Sequence, residues 1–398
     1  MKRKIRGGIC LENTTGCNLA CSYCYAAKKH LKAQRSSFKT IKKSLDFFYN
    51  YFSRSNQLME FQLDFTGTGE PLLNFRLLEK TARYILSRKD KSLILLRFTT
   101  NGLLFNRSIM NRMRAYNKKN KLLFRFSLSC DGPFLINDLT RKDKLGNGTG
   151  DRLLKTIIDL KKAGLFHLVD SAVCTYTFDR PLLVYRLMGL ALLGFKEVIM
   201  KPYRGLDPKY RLTAARLKTV KHQYRELTGF LLSKIIKEKD YSCFFAIFNP
   251  GDFFGRFLLR VYLGAKQERR CPAGDTQFYI NHRGDIFLCP SFSCHPGTSL
   301  GNVNKGINPS FLLSTENTSG LFKECEKCWA KKYCGGECPY DTYIRQGAKP
   351  DRLNCQLKRF MIKEANYFFS VLKTKKPKSL KGIDAFLRKK RSYYFDYK

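Results

Sequence analysis

At 398 residues, 43% of them hydrophobic and 14% aromatic, the chain is long and apolar enough for a large packed core, which excludes a disordered polyelectrolyte despite a formal net charge of +42. No run of roughly 18 or more apolar residues occurs, and the start Met1-Lys2-Arg3-Lys4-Ile5 passes into Gly7 and Gly8 instead of a signal-peptide core, so neither a membrane span nor secretion is expected and the chain reads as cytoplasmic. Self-repulsion among 74 basic against 32 acidic residues points either to an anionic partner, such as an acidic peptide or nucleic acid, or to a solvated basic surface.

From about residue 5 to 205, short β-like runs alternate with amphipathic helical stretches, the pattern of βα units around a parallel sheet. Strands are expected at 8–13, 62–66, 93–99, 124–129, 168–175 and 197–201, with helices at 40–54, 75–88 and 152–163 between them. Six such units predict an α/β fold, a partial (β/α)6 barrel of TIM type. After Pro202, Gly205 and Pro208 the pattern turns helical, with Leu217, Val220, Tyr224, Leu227 and Leu231 on one face. Pro, Gly and Cys dominate from Cys271 to Cys355; beyond them 363–372 reads as a helix and 373–398 as a basic tail with clusters at Lys375-Lys376 and Arg388-Lys389-Lys390-Arg391. These shifts divide the chain into a core at 1–210, a helical linker at 211–265, a cysteine-rich C-terminal domain at 266–360, and a helix and basic tail at 361–398.

Fifteen cysteines without a secretion signal favour metal ligands over disulfides. The first trio, Cys17, Cys21 and Cys24, is spaced Cys-x3-Cys-x2-Cys with Tyr23 before its last member. Three thiolates on a four-iron cube leave one iron open to a small molecule, whereas the same trio alone is also compatible with part of a zinc site. The trio follows the first strand, at the carboxyl rim where barrel enzymes place their chemistry. The other strand ends carry Thr66-Gly67-Thr68-Gly69-Glu70-Pro71, Thr99-Thr100-Asn101-Gly102 and Ser129-Cys130-Asp131-Gly132, with Arg141 closing Asn137-Asp138-Leu139-Thr140-Arg141. Each alone is an ordinary turn; together, in order and at strand ends, they form a set.

That set resembles the radical SAM enzymes. The resemblance implies that Cys17, Cys21 and Cys24 are the catalytic [4Fe-4S] ligands and that the amino and carboxylate groups of S-adenosylmethionine chelate the open iron. It implies that Glu70 and nearby backbone hold the methionine ammonium, with Gly69 allowing close approach, although Thr68 stands where the family has glycine. Tyr23 and Asn101 would also line the cofactor site, Ser129 would contact the nucleoside, and Arg141 would pair the methionine carboxylate. One electron from a reductant such as flavodoxin or ferredoxin would then split S-adenosylmethionine into methionine and a 5'-deoxyadenosyl radical that abstracts hydrogen from an unreactive C–H bond.

Cys271, Cys289, Cys325, Cys328, Cys334, Cys338 and Cys355, with a hairpin over 279–287 turning at 282–285, resemble the SPASM domain of peptide- and protein-modifying radical SAM enzymes. By that resemblance Cys325, Cys328, Cys334 and Cys355 would hold a distal auxiliary [4Fe-4S] cluster. Cys271, Cys289 and Cys338 would hold a proximal one, completed by Cys243, Cys294 or a non-cysteine ligand. Two zinc sites are the alternative, since Cys-x2-Cys is also a zinc-ribbon spacing. Cys10, Cys130 and Cys174 read as small buried hydrophobes.

Anaerobic sulfatase maturases carry a basic aspartate after the cysteine equivalent to Cys289; here Pro290 and Ser291 follow, so formylglycine formation is not expected. The 325–355 stretch is closer to maturases of ribosomally made peptides, implying oxidation or cross-linking of a peptide or protein substrate, with an acidic leader suiting the basic surface. The amino-terminal recognition domain many of them carry is not seen. The high charge keeps a second expectation open, an RNA-modifying radical SAM enzyme or a basic iron-sulfur RNA-binding protein. A pure electron carrier would not need Glu70, Ser129 and Arg141.

Overall fold

The computed structural model describes residues 5–53, 59–88, 93–120, 124–266, 271–295, 297–308, 322–347 and 349–390. Residues 1–4, Arg54, 267–270 and Arg391 with the rest of the tail, all read above, lie outside the described residues. The strands are β1 Ile5–Leu11, β2 Met59–Phe65, β3 Leu93–Thr100, β4 Phe124–Ser129, β5 Val169–Tyr176, β6 Val198–Pro202, β7 Gln277–Ile280, β8 Asp285–Phe287, β9 Gly301–Asn302 and β10 Gly306–Ile307. The main helices are α1 Phe38–Ser53, α2 Phe75–Ser87, α3 Arg107–Asn120, α4 Gly150–Lys162, α5 Leu183–Leu192, α6 Ala214–Lys237, α7 Ser242–Ile247, α8 Gly255–Leu263, α9 Arg352–Lys375 and α10 Lys378–Lys389. The six expected strands are present, β1 and β2 beginning earlier than the sequence pattern suggests because their parallel pairing already starts at Ile5 and Met59.

Contacts divide the chain into two units. The first comprises Met1–Ser129, Asn137–Asp170 and Pro272–Glu316. Its strands run in the order β10-β9-β8-β7-β1-β2-β3-β4. β1 to β4 pair in parallel, each followed by a crossover helix, giving the α/β partial barrel. The hairpin expected at 279–287 forms, with Tyr279 opposite Phe287. It does more than the sequence suggests: β7 adds to β1 in parallel, from Gly8 opposite Gln277 to Leu11 opposite Ile280. The addition is sealed by aromatics, since Phe48 of α1 is fully buried with its ring 5.1 Å from that of Phe278. Across β3 and β4, Phe98 and Phe126 stack at 5.4 Å, and Leu63, Leu96, Phe124 and Leu128 complete the core. Arg97 of β3 and Arg125 of β4 both bind Asp170, the first at 2.9 Å.

The second unit comprises Cys130–Ile136, Ser171–Cys271 and Asn317–Lys398. β5 and β6 pair in parallel in it, from Ala172 opposite Val198 to Tyr176 opposite Pro202. The helix expected from Leu217 to Leu231 is α6, begun by Thr213, whose hydroxyl accepts from Arg216 N–H. The helix expected at 363–372 is far longer. Asp351 caps α9 by accepting from the N–H groups of Leu353 (2.8 Å) and Asn354 (3.0 Å), so the helix starts before Cys355 and carries it. The basic tail is likewise corrected as far as residue 390. After a break at Pro377, α10 buries Ile383 and Leu387, stacks Phe386 on Phe245 at 4.2 Å, and receives Tyr241 OH on Ser379 Oγ at 2.9 Å. Among the described residues no helix is long and apolar enough to cross a membrane.

Removing the Asp170 carboxylate takes an ion-pair partner from two part-buried guanidiniums. Asp170→Ala is expected to lower unfolding free energy by about 2–4 kcal/mol, measured by urea denaturation, and Asp170→Asn by less.

Candidate active site at the carboxyl ends of the first four strands

The loop after β1 carries Cys17, Cys21 and Cys24, and backbone bonds fix its path. Gly16 O accepts from Glu70 N–H at 2.8 Å; Ala20 N–H and Ser22 N–H donate to Lys142 O (2.8 Å) and Thr140 O (2.9 Å). Gly69 lies against this loop so tightly that a Cβ would stand 2.2 Å from Thr14 O and 2.5 Å from Gly16 O, so only glycine fits. The close approach that Gly69 makes is to the cysteine loop.

Glu70, 2% exposed, has both oxygens engaged. Oε1 accepts from Leu72 N–H (3.0 Å) and the Thr100 hydroxyl (2.6 Å), and Oε2 from Asn101 N–H (2.7 Å). The carboxylate therefore ties the end of β2 to the end of β3. The Asn101 amide donates to Asn18 Oδ1 at 2.8 Å and reaches Cys17 Sγ at 3.9 Å. Arg141, 7% exposed, donates to Tyr23 OH at 2.8 Å, and its charge favours the ionised forms of Cys24 and Glu70. Ser129 ends β4, half-buried on the same rim. The structure thus brings together Cys17, Asn101 and Glu70, and Tyr23 with Arg141.

Burial pushes the Cys17 thiol up to about 12 and Cys24 to about 11, with mutual repulsion adding to both. Loading iron on them must release protons. Among the described residues no three His, Cys, Asp or Glu side chains converge on one single-ion position. Three soft, half-buried thiols on one loop fit a larger thiophilic centre, which would supply one electron and an open iron when bound.

Sequence reasoning missed Glu12, which follows β1 and is 1% exposed. Its Oε1 accepts from Tyr279 OH (2.8 Å), Lys29 Nζ (3.4 Å) and the Thr68 hydroxyl; Oε2 accepts from His282 N–H (3.0 Å) and pairs with His282 Nδ1 (2.7 Å). Lys29 also donates to Ser293 Oγ at 3.1 Å. Thr68, the departure from the family's glycine, is therefore a partner of Glu12, and that departure was the one available signal. Burial opposes ionisation of Glu12, but His282, Lys29 and Thr68 outweigh it and hold the carboxyl at about 2.

The later cysteines fall in both units. Cys325, Cys328, Cys334 and Cys355 all line one small cavity in the second unit. Cys271 and Cys338 also belong to that unit, and Arg204 Nη1 donates to Cys338 Sγ at 3.3 Å. Cys289 belongs to the first unit together with Cys294, while Cys243 lies buried on α7 of the second. Cys130 and Cys174 are buried as expected; Cys10 is half-buried, its thiol donating to Thr66 O.

Residues 11–179 match the Radical SAM superfamily, and this part of the chain is a radical SAM domain. The chain is 27% identical over 302 residues to an uncharacterized protein of Methanocaldococcus jannaschii, covering 74% of this chain and 88% of that one. It is 23% identical over 368 residues to a serine-type anaerobic sulfatase-maturating enzyme of Bacteroides thetaiotaomicron, covering 85% and 83%. In fold it is similar to anSMEcpe with bound AdoMet (TM-score 0.70, 19% identity, 92% of this chain and 99% of that one). It is also similar to Streptococcus suis SuiB bound to its precursor peptide SuiA (TM-score 0.57, 15% identity, 88% and 76%).

Because the folded-state pKa of Glu12 is depressed from 4.5 to about 2, its stabilisation is complete above pH 4.5 and is lost as pH falls toward 2. Over that window the loss is roughly 3 kcal/mol. Urea titrations near pH 6 and pH 3 should show Glu12→Gln less stable at the higher pH, with a smaller drop on acidification than the parent protein.

Proposed function

We propose that the protein is a radical SAM peptide maturase, which cleaves S-adenosylmethionine reductively and abstracts hydrogen from a peptide or protein, leading to oxidation or a cross-link. The observation that carries this reading is the rim of the first unit, where the Cys17 loop, the Glu70–Asn101 link and the Tyr23–Arg141 pair meet at consecutive strand ends. When bound, the cluster and S-adenosylmethionine supply a 5'-deoxyadenosyl radical. The chain's own contribution is positional. Glu70 fixes the turn bearing Asn101, the Asn101 amide steadies Asn18 beside Cys17, and Arg141 offers a guanidinium suited to the methionine carboxylate.

A peptide substrate is supported by SuiB, a structural neighbour bound to a precursor peptide, and by the excess of basic residues, which favours an acidic leader. Formylglycine formation is disfavoured by Pro290 in place of the maturase aspartate. Glu12 does not replace that base, because its oxygens are sealed in the network with His282, Tyr279 and Thr68. The auxiliary cysteines would hold two [4Fe-4S] clusters that carry an electron from the substrate radical.

The full chain, reconstituted anaerobically and reduced with dithionite, should hold about twelve irons and release 5'-deoxyadenosine from S-adenosylmethionine, a product lost when Cys17, Cys21 and Cys24 are all alanine. Stoichiometric zinc with negligible iron, or full iron without cleavage, would overturn the reading. Arg141→Met should weaken S-adenosylmethionine binding at least tenfold by equilibrium dialysis, in line with roughly 1.5–3 kcal/mol for a charged hydrogen bond.

A further inference from the structure

The cavity ringed by the four distal thiols has a cationic wall. α9 carries Cys355 and, about one turn on, Lys358 and Arg359, so all three lie on neighbouring faces of the helix. Lys358 is only 3% exposed and lines the cavity with Cys325, Cys328, Cys334 and Cys355. Its ammonium donates to Gly336 O at 3.3 Å, and the Cys334 thiol donates to the same oxygen at 3.3 Å. Two contacts to one atom keep that nitrogen and sulfur within about 7 Å of each other, where Coulomb coupling in a dry site is strong. Arg359 reaches Cys328 Sγ at 3.5 Å from the solvent side. Glu337, the carboxylate lining this cavity, is already taken: it accepts from Arg345 Nη2 at 2.6 Å and Asp351 N–H at 2.9 Å. One carbonyl is a poor match for an ammonium withdrawn from water. An anionic occupant of the cavity would complete the arrangement.

We propose that Lys358 is a built-in counter-charge for the distal auxiliary cluster and raises its reduction potential. The inference rests on the reading that these four cysteines hold a [4Fe-4S] cluster. Such a cluster with four thiolates is doubly negative when oxidised and triply negative after accepting one electron, so a fixed buried cation stabilises the reduced form more. The electron comes from the reductant or from the substrate radical, and no proton need move with it. Arg359, screened by water, contributes less. Lys358 is thus a positioning residue for charge that equips this cluster to accept an electron.

The test uses the full chain with Cys17, Cys21, Cys24, Cys271, Cys289 and Cys338 all changed to alanine, leaving the distal set as the one complete set of four proposed cluster ligands. Iron and sulfide are counted, and the potential is read by an EPR-monitored redox titration. Lys358→Met should move the midpoint more negative by at least the equivalent of a tenfold change in the reduced-to-oxidised ratio, about 59 mV for one electron. Lys358→Arg should stay near the parent and Arg359→Gln should shift less than Lys358→Met. Lys358→Gln, which keeps a donor for Gly336 O, gives the same readout if the methionine variant fails to fold. Four irons with a potential unmoved by Lys358→Met or Lys358→Gln would overturn the inference while leaving the cluster reading intact. No iron in the parent of this series would overturn the cluster reading itself.

Discussion

The site depends on the contact between Gly69 and the loop that precedes Cys17. With Thr14 O and Gly16 O where a side chain would begin, the segment after β2 can lie directly on the cysteine loop, and Glu70 N–H closes the contact on Gly16 O. That single approach puts Glu70 between β2 and β3, and Glu70 in turn fixes Asn101 beside Cys17. The cysteine loop, the acidic turn and the asparagine turn are thereby joined by direct hydrogen bonds, a preorganised arrangement that suits the binding of a cofactor.

Two buried carboxylates share the work of bracing the rim. Glu70 spans two strand ends through neutral donors, so burial raises its pKa. Glu12 gathers a lysine, a histidine, a tyrosine and a threonine, and is held strongly acidic. The second arrangement ties the β7–β8 hairpin to the end of β1, so the added strand is locked both by its backbone ladder and by Glu12. In both groups each oxygen already accepts at least one hydrogen bond, which fits a bracing role.

The parallel strands and the cysteine set were legible because both are local: alternating apolar runs define β2 to β6, and cysteine spacing survives without knowledge of the fold. Long-range events were not. The start of α9 depended on Asp351 finding two backbone donors, and the polar run around Cys355 masks the helix that Leu357, Met361 and Phe368 complete. α10 was hidden by its lysines, because only Ile383, Phe386 and Leu387 reveal the buried face. Glu12 looked like an ordinary polar residue after a strand; its importance comes from Tyr279 and His282, more than 260 residues away.

The most direct test of the central claim is the EPR spectrum of the reduced full chain in which Cys271, Cys289, Cys325, Cys328, Cys334, Cys338 and Cys355 are alanine, recorded before and after adding S-adenosylmethionine. The account predicts a four-iron signal whose g values change when the ligand's amino and carboxylate groups reach the open iron. A four-iron signal that S-adenosylmethionine leaves unaltered would contradict it.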